Sequence, residues 1–179
     1  WTREWGIRAC PCLGVGKFKE GPRDRYIEDW EYDAMLEEAR KNVPLMAAAM
    51  GISYCCAARQ GDVWGLRREQ LRETGIFIRQ GKTGVKQIKE WNPRLRAAVD
   101  LALSVQKVVN INLVFCDSKG NHPAQGTLRN WFGKYKAKAK ENHQGAWVND
   151  FTFHDIKAKQ IPNKGETSQE LGGKKLTPK

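Results

Sequence analysis

The spacing of apolar positions changes several times along the chain, and each change marks an element. Residues 1–28 show no period: CPCLGVGKFKEGPRDRY mixes Gly, Pro and charge and reads as an extended linker. Asp29 then stands where an N-cap belongs, and Tyr32, Met35, Leu36 and Ala39 recur at helical spacing, predicting an amphipathic helix of about three turns. Pro44 suits a first helical position, and LMAAAMGISYCCAA after it is apolar on every side, which predicts a helix buried all round. The character changes at its end, where Arg59 and Asp62 follow directly, with Arg67 and Arg68 beyond. A charge delivered to the end of a core helix is either paired internally or aimed at a ligand.

Period two takes over next. Ile76 and Ile78 alternate in GIFIRQ, Lys82-Thr83-Gly84 makes a turn and VKQIKEW returns, so residues 75–91 are expected as a β-hairpin with Lys82 at its tip. Asn92-Pro93 caps a predicted helix over 93–107, with Leu95, Ala98, Val99 and Ala102 inward. LVFC, residues 113–116, reads as a short apolar strand closed by the turn DSKGN. From Thr127 to Lys140, Leu128, Trp131, Phe132, Tyr135 and Ala139 form an apolar stripe, and Lys134, Lys136, Lys138 and Lys140 take the other side. That lysine face is either a solvated surface or a DNA-facing one. FTFHDIKAK opens a further helix that places His154 and Lys157 one turn apart, and the residues after it are polar and Gly-rich. The fold class expected from this order is α+β, mainly α, with a small antiparallel sheet at one edge.

Composition narrows the function. A chain of 179 residues, 40% of them hydrophobic, can bury one real core. No run approaches the roughly 18 apolar residues of a membrane span. The opening WTREWG is neither a signal peptide nor an initiator methionine, so we expect a cytoplasmic protein without a membrane partner, and a fragment of a longer one. The formal charge is +11, unevenly placed: residues 119–179 hold 12 basic and 5 acidic residues, an excess of seven. Such an excess points to a polyanion, DNA or RNA first, although basic domains without a nucleic-acid role are common. The linker residues Lys17, Lys19, Arg23 and Arg25 either track such a backbone or are simply solvated.

The five cysteines, Cys10, Cys12, Cys55, Cys56 and Cys116, match neither a disulfide framework nor zinc-knuckle spacing. They read as buried or linker thiols. The chemistry-bearing residues are instead Arg59, Lys82, His154 and Lys157: three cations and a histidine suit the stabilisation of charge on a phosphate better than the holding of a metal. Three of them also have a plain alternative. Arg59 pairs with Asp62, Lys82 is a solvated turn lysine, and His154 hydrogen-bonds at a helix start.

Taken in order, these motifs resemble the tyrosine recombinases, phage integrases in particular. ISYCCAARQGDVWGLRREQL is similar to the core helix that ends at the family's first catalytic arginine, GIFIRQGKTGVKQIKEW to its hairpin with the catalytic lysine, and FTFHDIKAK to its His-x-x-Arg box. CPCLGVGKFKEGPRDRYIED resembles the family's interdomain linker. The resemblance implies the tyrosine-recombinase catalytic-domain fold for residues 29–179, cut short at the C-terminus, with 1–28 as linker and end of a preceding DNA-clamping domain.

It also implies roles. Arg59 matches the arginine that holds the non-bridging oxygens of the scissile phosphate, Lys82 the lysine that protonates the leaving 5′ oxygen, and His154 the histidine that hydrogen-bonds the phosphate. Lys157 stands where the second arginine belongs, and Gly173 in ELGGKK stands in the place of a later His or Trp. The family's nucleophile is a tyrosine that forms a 3′-phosphotyrosyl link, which needs no cofactor, ATP or metal. None of Tyr26, Tyr32, Tyr54 and Tyr135 can be assigned that role, and the nucleophile is expected beyond Lys179. Two readings follow: the catalytic domain of a phage or mobile-element integrase, inactive as this piece, or a decayed integrase that only binds DNA. Double-stranded DNA and further recombinase protomers are the expected partners, with this piece monomeric when alone and its origin bacterial or phage.

Overall fold

In the computed structural model, which describes residues 16, 26–107, 110–142 and 152–160, the other elements pack around the helix that Pro44 opens. This helix, α2 (Pro44–Cys56), follows α1 (Asp29–Asn42) with only Val43 between them. Met46, Met50 and Ile52 are fully buried in it. Each such side chain contributes about 1.5–3 kcal/mol relative to an exposed one. Behind α2 come α3 (Gln60–Trp64), a 3₁₀ turn (Arg68–Gln70), β1 (Leu71–Arg72), β2 (Gly75–Arg79), β3 (Lys86–Glu90), α4 (Pro93–Ser104), α5 (Gln125–Asn142) and α6 (Phe153–Gln160). The protein is mainly helical with one small antiparallel sheet.

α1, α4 and α6 all pack against α2, and α5 lies on α1. Gly51 is what allows the close approach of α4, since a Cβ there would meet the Ala98 Cβ at 2.9 Å. The sheet has the order β1-β2-β3 with all pairs antiparallel. Ile76 and Ile78 face the core, while Phe77 opposes Ile88 on the other face under the guanidinium of Arg72, 4.5 Å from the ring centre. No helix among the described residues is long and apolar enough to cross a membrane.

Several boundaries differ from expectation, each for a local reason. Glu28, not Asp29, is the N-cap of α1, because the Glu31 carboxylate reaches back to the Glu28 N–H at 2.8 Å. Asp29 is left to pair with Lys159 of α6. LVFC is not a strand: only Leu113 bridges, to Arg67, and Val114 donates to the Leu66 carbonyl at 3.0 Å. Burial holds the segment instead, with Val114 and Phe115 fully inside and the Phe115 ring edge-on to Trp64 at 4.9 Å. The third strand of the sheet is β1. α4 stops at Ser104 rather than 107, since the Gln106 side chain bridges Arg68 and the Val114 carbonyl. α5 runs two residues further than expected at each end.

Cys55, Cys56 and Cys116 take part in no disulfide among the described residues. Burial pushes the Cys56 thiol up to about 12, as suits an inert core thiol. Cys10 and Cys12 lie outside the described residues.

Candidate functional site

The site begins at the end of α2. Ala57 takes the left-handed conformation (φ 49°, ψ 36°), and its N–H returns to the Ser53 carbonyl, which stops the helix. The Ala58 N–H also reaches the Ser53 carbonyl, while the Ser53 hydroxyl donates to the Ala58 carbonyl at 2.9 Å. Both backbone groups of Ala58 are thereby tied to one buried serine, and the next residue, Arg59, leaves in extended conformation as the N-cap of α3. Its guanidinium is half-buried, and Nη1 donates to Gln80 Oε1 at 2.8 Å.

Gln80 lies at the base of the hairpin turn between β2 and β3. Its N–H donates to the Val85 carbonyl and its own carbonyl accepts from Gly84, each at 2.8 Å, so residues 81–84 form a closed loop. Gly84 sits at φ +69°, a conformation glycine adopts without strain. One residue into the loop, the Gly81 N–H donates to Asp62 Oδ1 at 2.9 Å. The loop that carries Lys82 is therefore fastened to the first turn of α3 at two points. Lys82 itself is exposed, and its side chain makes no hydrogen bond among the described residues.

α6 supplies the rest. Thr152 precedes it: the Asp155 carboxylate accepts from both the Thr152 N–H and hydroxyl at 2.8 Å, and the Asp155 N–H donates to the Thr152 carbonyl at 3.1 Å, which fixes the first turn that holds His154. Phe153 and Ile156 bury against the core, with Phe153 edge-on to Phe132 at 5.9 Å. His154 is left exposed and Lys157 half-buried. Burial lowers the Lys157 pKa, the positive charge of Arg59 lowers it further, and Asp62 partly offsets both. Lys157 thus shares one electrostatic environment with the start of α3.

Of the four expected site residues, Arg59 and Lys157 are brought within mutual influence, and Arg59 bonds to Gln80 at the base of the loop that carries Lys82, whose own side chain reaches neither. His154 is linked to them only by its position one turn before Lys157. No ion pair joins Arg59 to Asp62 among the described residues: Asp62 gives one oxygen to Gly81, and its other oxygen is buried without a partner. The plain account of Arg59 as the ion-pair partner of Asp62 is replaced by a bond from Arg59 to an uncharged amide.

The lysines of α5 do not share one face. Two residues of helix turn a side chain by roughly 200°, so Lys136 points away from Lys134 and Lys138. Lys136 lines a cleft of about 330 Å³ beside the site, together with Gln60, Arg129, Phe132 and Thr152. Lys134 borders a separate groove with Asn130 and Trp131, and Lys138 donates to Asn42 of α1 at 2.7 Å. Lys17, Lys19, Arg23, Arg25 and Gly173 lie outside the described residues.

The four tyrosines are placed apart from this constellation. Tyr32 and Tyr135 are buried, Tyr54 lies beneath Arg94 with the guanidinium 4.3 Å from its ring centre, and Tyr26 lies beneath Lys159 at 5.0 Å. Burial raises the pKa of both Tyr32 and Tyr135. Sequence reasoning missed Gln80, Ser53, Thr152 and Arg129. Only Thr152 carried a signal, the Thr-x-x-Asp pattern of a helix cap.

The fold that carries these residues is a known one. Solved structures of tyrosine recombinases match the chain closely enough to show that it has their catalytic-domain fold. A lambda integrase tetramer bound to a Holliday junction matches with a TM-score of 0.65 and 16% identity over 89% of this chain and 48% of that one. The lambda integrase catalytic core gives 0.61 and 15% over 75% and 80%. The integrase of the Tn1549 transposon, in complex with circular intermediate DNA, gives 0.61 and 14% over 79% and 52%. The chain spans about half the length of the first of these. No protein-family model and no curated protein sequence matches the chain.

Proposed function

We propose that the chain is the catalytic portion of a site-specific DNA recombinase of the tyrosine class, an integrase of a phage or other mobile element acting in the cytoplasm. The observation that supports this reading is the hydrogen bond from Arg59 to Gln80, at the base of the loop that carries Lys82, with Lys157 near enough for the Arg59 charge to lower its pKa: segments that the resemblance assigns to a single phosphate lie close together. Arg59 and Lys157 neutralise charge that grows on the non-bridging oxygens as the phosphorus is attacked. Lys82 gives a proton to the leaving 5′ oxygen, and His154 donates a hydrogen bond to a phosphoryl oxygen. A tyrosine oxygen forms the new bond to phosphorus while the bond to the 5′ oxygen breaks, and a 5′ hydroxyl later reverses the exchange, so the phosphodiester energy is kept.

None of the four tyrosines is assigned as nucleophile, and the proposed reaction takes its tyrosine from outside these residues. The partners under this reading are duplex DNA and further recombinase protomers, the chain alone being monomeric. In DNA binding, Arg129 and Lys136 extend the basic surface beside the site, with Lys134 and Lys138 on the far side of α5 and Lys17, Lys19, Arg23 and Arg25 along the linker. Gly173 holds the degenerate position of a further phosphate ligand.

Lys157 supports a second reading, a decayed integrase that binds DNA without cutting it. Its lowered pKa and its lack of a planar fork make it a weaker phosphate ligand than arginine. Incubation of the chain, extended by its native downstream sequence, with a nicked suicide duplex tests both. A covalent protein–DNA adduct supports the recombinase. Salt-dependent DNA binding without an adduct, in a protein confirmed to contain a downstream tyrosine, supports decay. Duplex affinity that is flat between low and moderate salt rejects both.

A further inference from the structure

We propose that Gln80 is a positioning residue that couples the Arg59 guanidinium to the loop carrying Lys82, so that the phosphate ligand and the proton donor move as one unit. The inference rests on the recombinase reading above for its chemistry, but the coupling itself is a matter of hydrogen bonds.

An arginine donates and never accepts, so the amide atom of Gln80 that faces Arg59 must be its oxygen. The same oxygen accepts from Thr83 Oγ1 at 2.9 Å. One carbonyl group thus ties the N-cap side chain of α3 to a side chain within the turn. The backbone of Gln80 closes the loop at its base through Val85 and Gly84, and the neighbouring Gly81 N–H is held by Asp62. Lys82 lies between Gly81 and Thr83, the two loop residues so restrained. Its own side chain stays exposed, free to turn while its Cα is held.

Of the five N–H donors of Arg59, only the Nη1 donor is engaged in a hydrogen bond among the described residues. The remainder of the planar fork stays available to phosphoryl oxygens. A guanidinium that shifts to grip a phosphate therefore draws the Lys82 loop with it. Without Gln80 the arginine still binds, but the proton donor is no longer placed by that binding.

Amide hydrogen exchange on the chain without DNA tests the coupling. Gln80→Ala is expected to speed exchange at Gly81 and Gly84 by about tenfold, the order expected from losing its side-chain hydrogen bonds with Arg59 and Thr83, with α2 and α4 unchanged. Gln80→Glu, whose carboxylate still accepts from Arg59, is expected to keep the protection. Unchanged loop exchange in Gln80→Ala overturns the proposal.

The chemical consequence is read in the protein extended through its tyrosine, by comparing ordinary DNA with DNA whose scissile 5′ bridging oxygen is sulfur. A thiolate leaves without a proton, so the slowed cleavage expected of Gln80→Ala on ordinary DNA should return to the wild-type rate on the sulfur substrate. Equal slowing on both substrates overturns the positioning role. If the wild-type protein forms no adduct with either DNA, the recombinase reading fails, and the exchange experiment still decides the coupling.

Discussion

The hydroxyl of Ser53 donates to the carbonyl oxygen of Ala58 at 2.9 Å, in a fully buried position five residues back along the chain. Ser53→Ala removes that donor and leaves a buried acceptor unpaired, which costs about 1–3 kcal/mol. A urea titration should show the midpoint falling with the slope unchanged. Because Ala58 precedes Arg59, duplex binding should weaken as well, at a temperature where the variant is still folded.

Ala57 holds a left-handed conformation that costs an L-residue about 1–2 kcal/mol and glycine almost nothing, while glycine gives up about 0.5–1 kcal/mol of chain entropy. Ala57→Gly is therefore expected to raise stability by roughly 0.5–1 kcal/mol, seen as a higher thermal midpoint. A lower midpoint would mean that the alanine methyl group packs usefully there.

Burial and the charge of Arg59 lower the Lys157 pKa, so the unfolded chain keeps this proton to higher pH than the folded one. The resulting penalty on folding is present below the lowered value and is relieved as pH rises from it to the ordinary lysine value. Phosphate binding favours the charged form. Affinity for a short duplex should therefore decline on the alkaline side before an ordinary lysine titrates, and Lys157→Arg should flatten that decline. A matching decline in the arginine variant would assign it to another group.

Lys159, almost completely buried, donates to the Ile27 carbonyl at 2.8 Å and pairs with Asp29, so it ties α6 to the start of α1. Lys159→Ala leaves the Ile27 carbonyl without that donor and is expected to destabilise by about 1–3 kcal/mol. The Lys159 hydrogen bond and charge hold the Asp29 carboxyl below its usual range. The contribution of Asp29 is thus present above the ordinary aspartate value and lost as pH falls through the lowered one. An acid titration of stability should lose this component in the variant.

The elements whose side chains obey one strong period were legible before the structure. α2 is apolar on every side because it is surrounded, and the alternation of Ile76 with Ile78 marks a strand with one face inward. Lys82 was placed on its turn by Lys-Thr-Gly alone. LVFC misled because a short apolar run fits a buried connection as well as a strand, and only the partners of its backbone decide. The lysines of α5 misled for a simpler reason, since a spacing of two on a helix sends neighbours to opposite sides. Gln80 was invisible because an uncharged amide in a turn carries no pattern. Its meaning comes from Arg59, 21 residues earlier in the chain, across a contact that no local spacing encodes.

The bond between Ile27 and Lys159 spans 132 residues. Closing so long a loop is entropically costly, and contacts of this kind form late in folding. During synthesis, which proceeds from the N-terminus, Arg59 and the Lys82 loop have emerged and can pair through Gln80 well before α6 exists. The two parts of the candidate site therefore emerge at different times. At roughly 5–20 residues per second, the arginine and the lysine loop leave the ribosome several seconds before the histidine helix against which α2 packs.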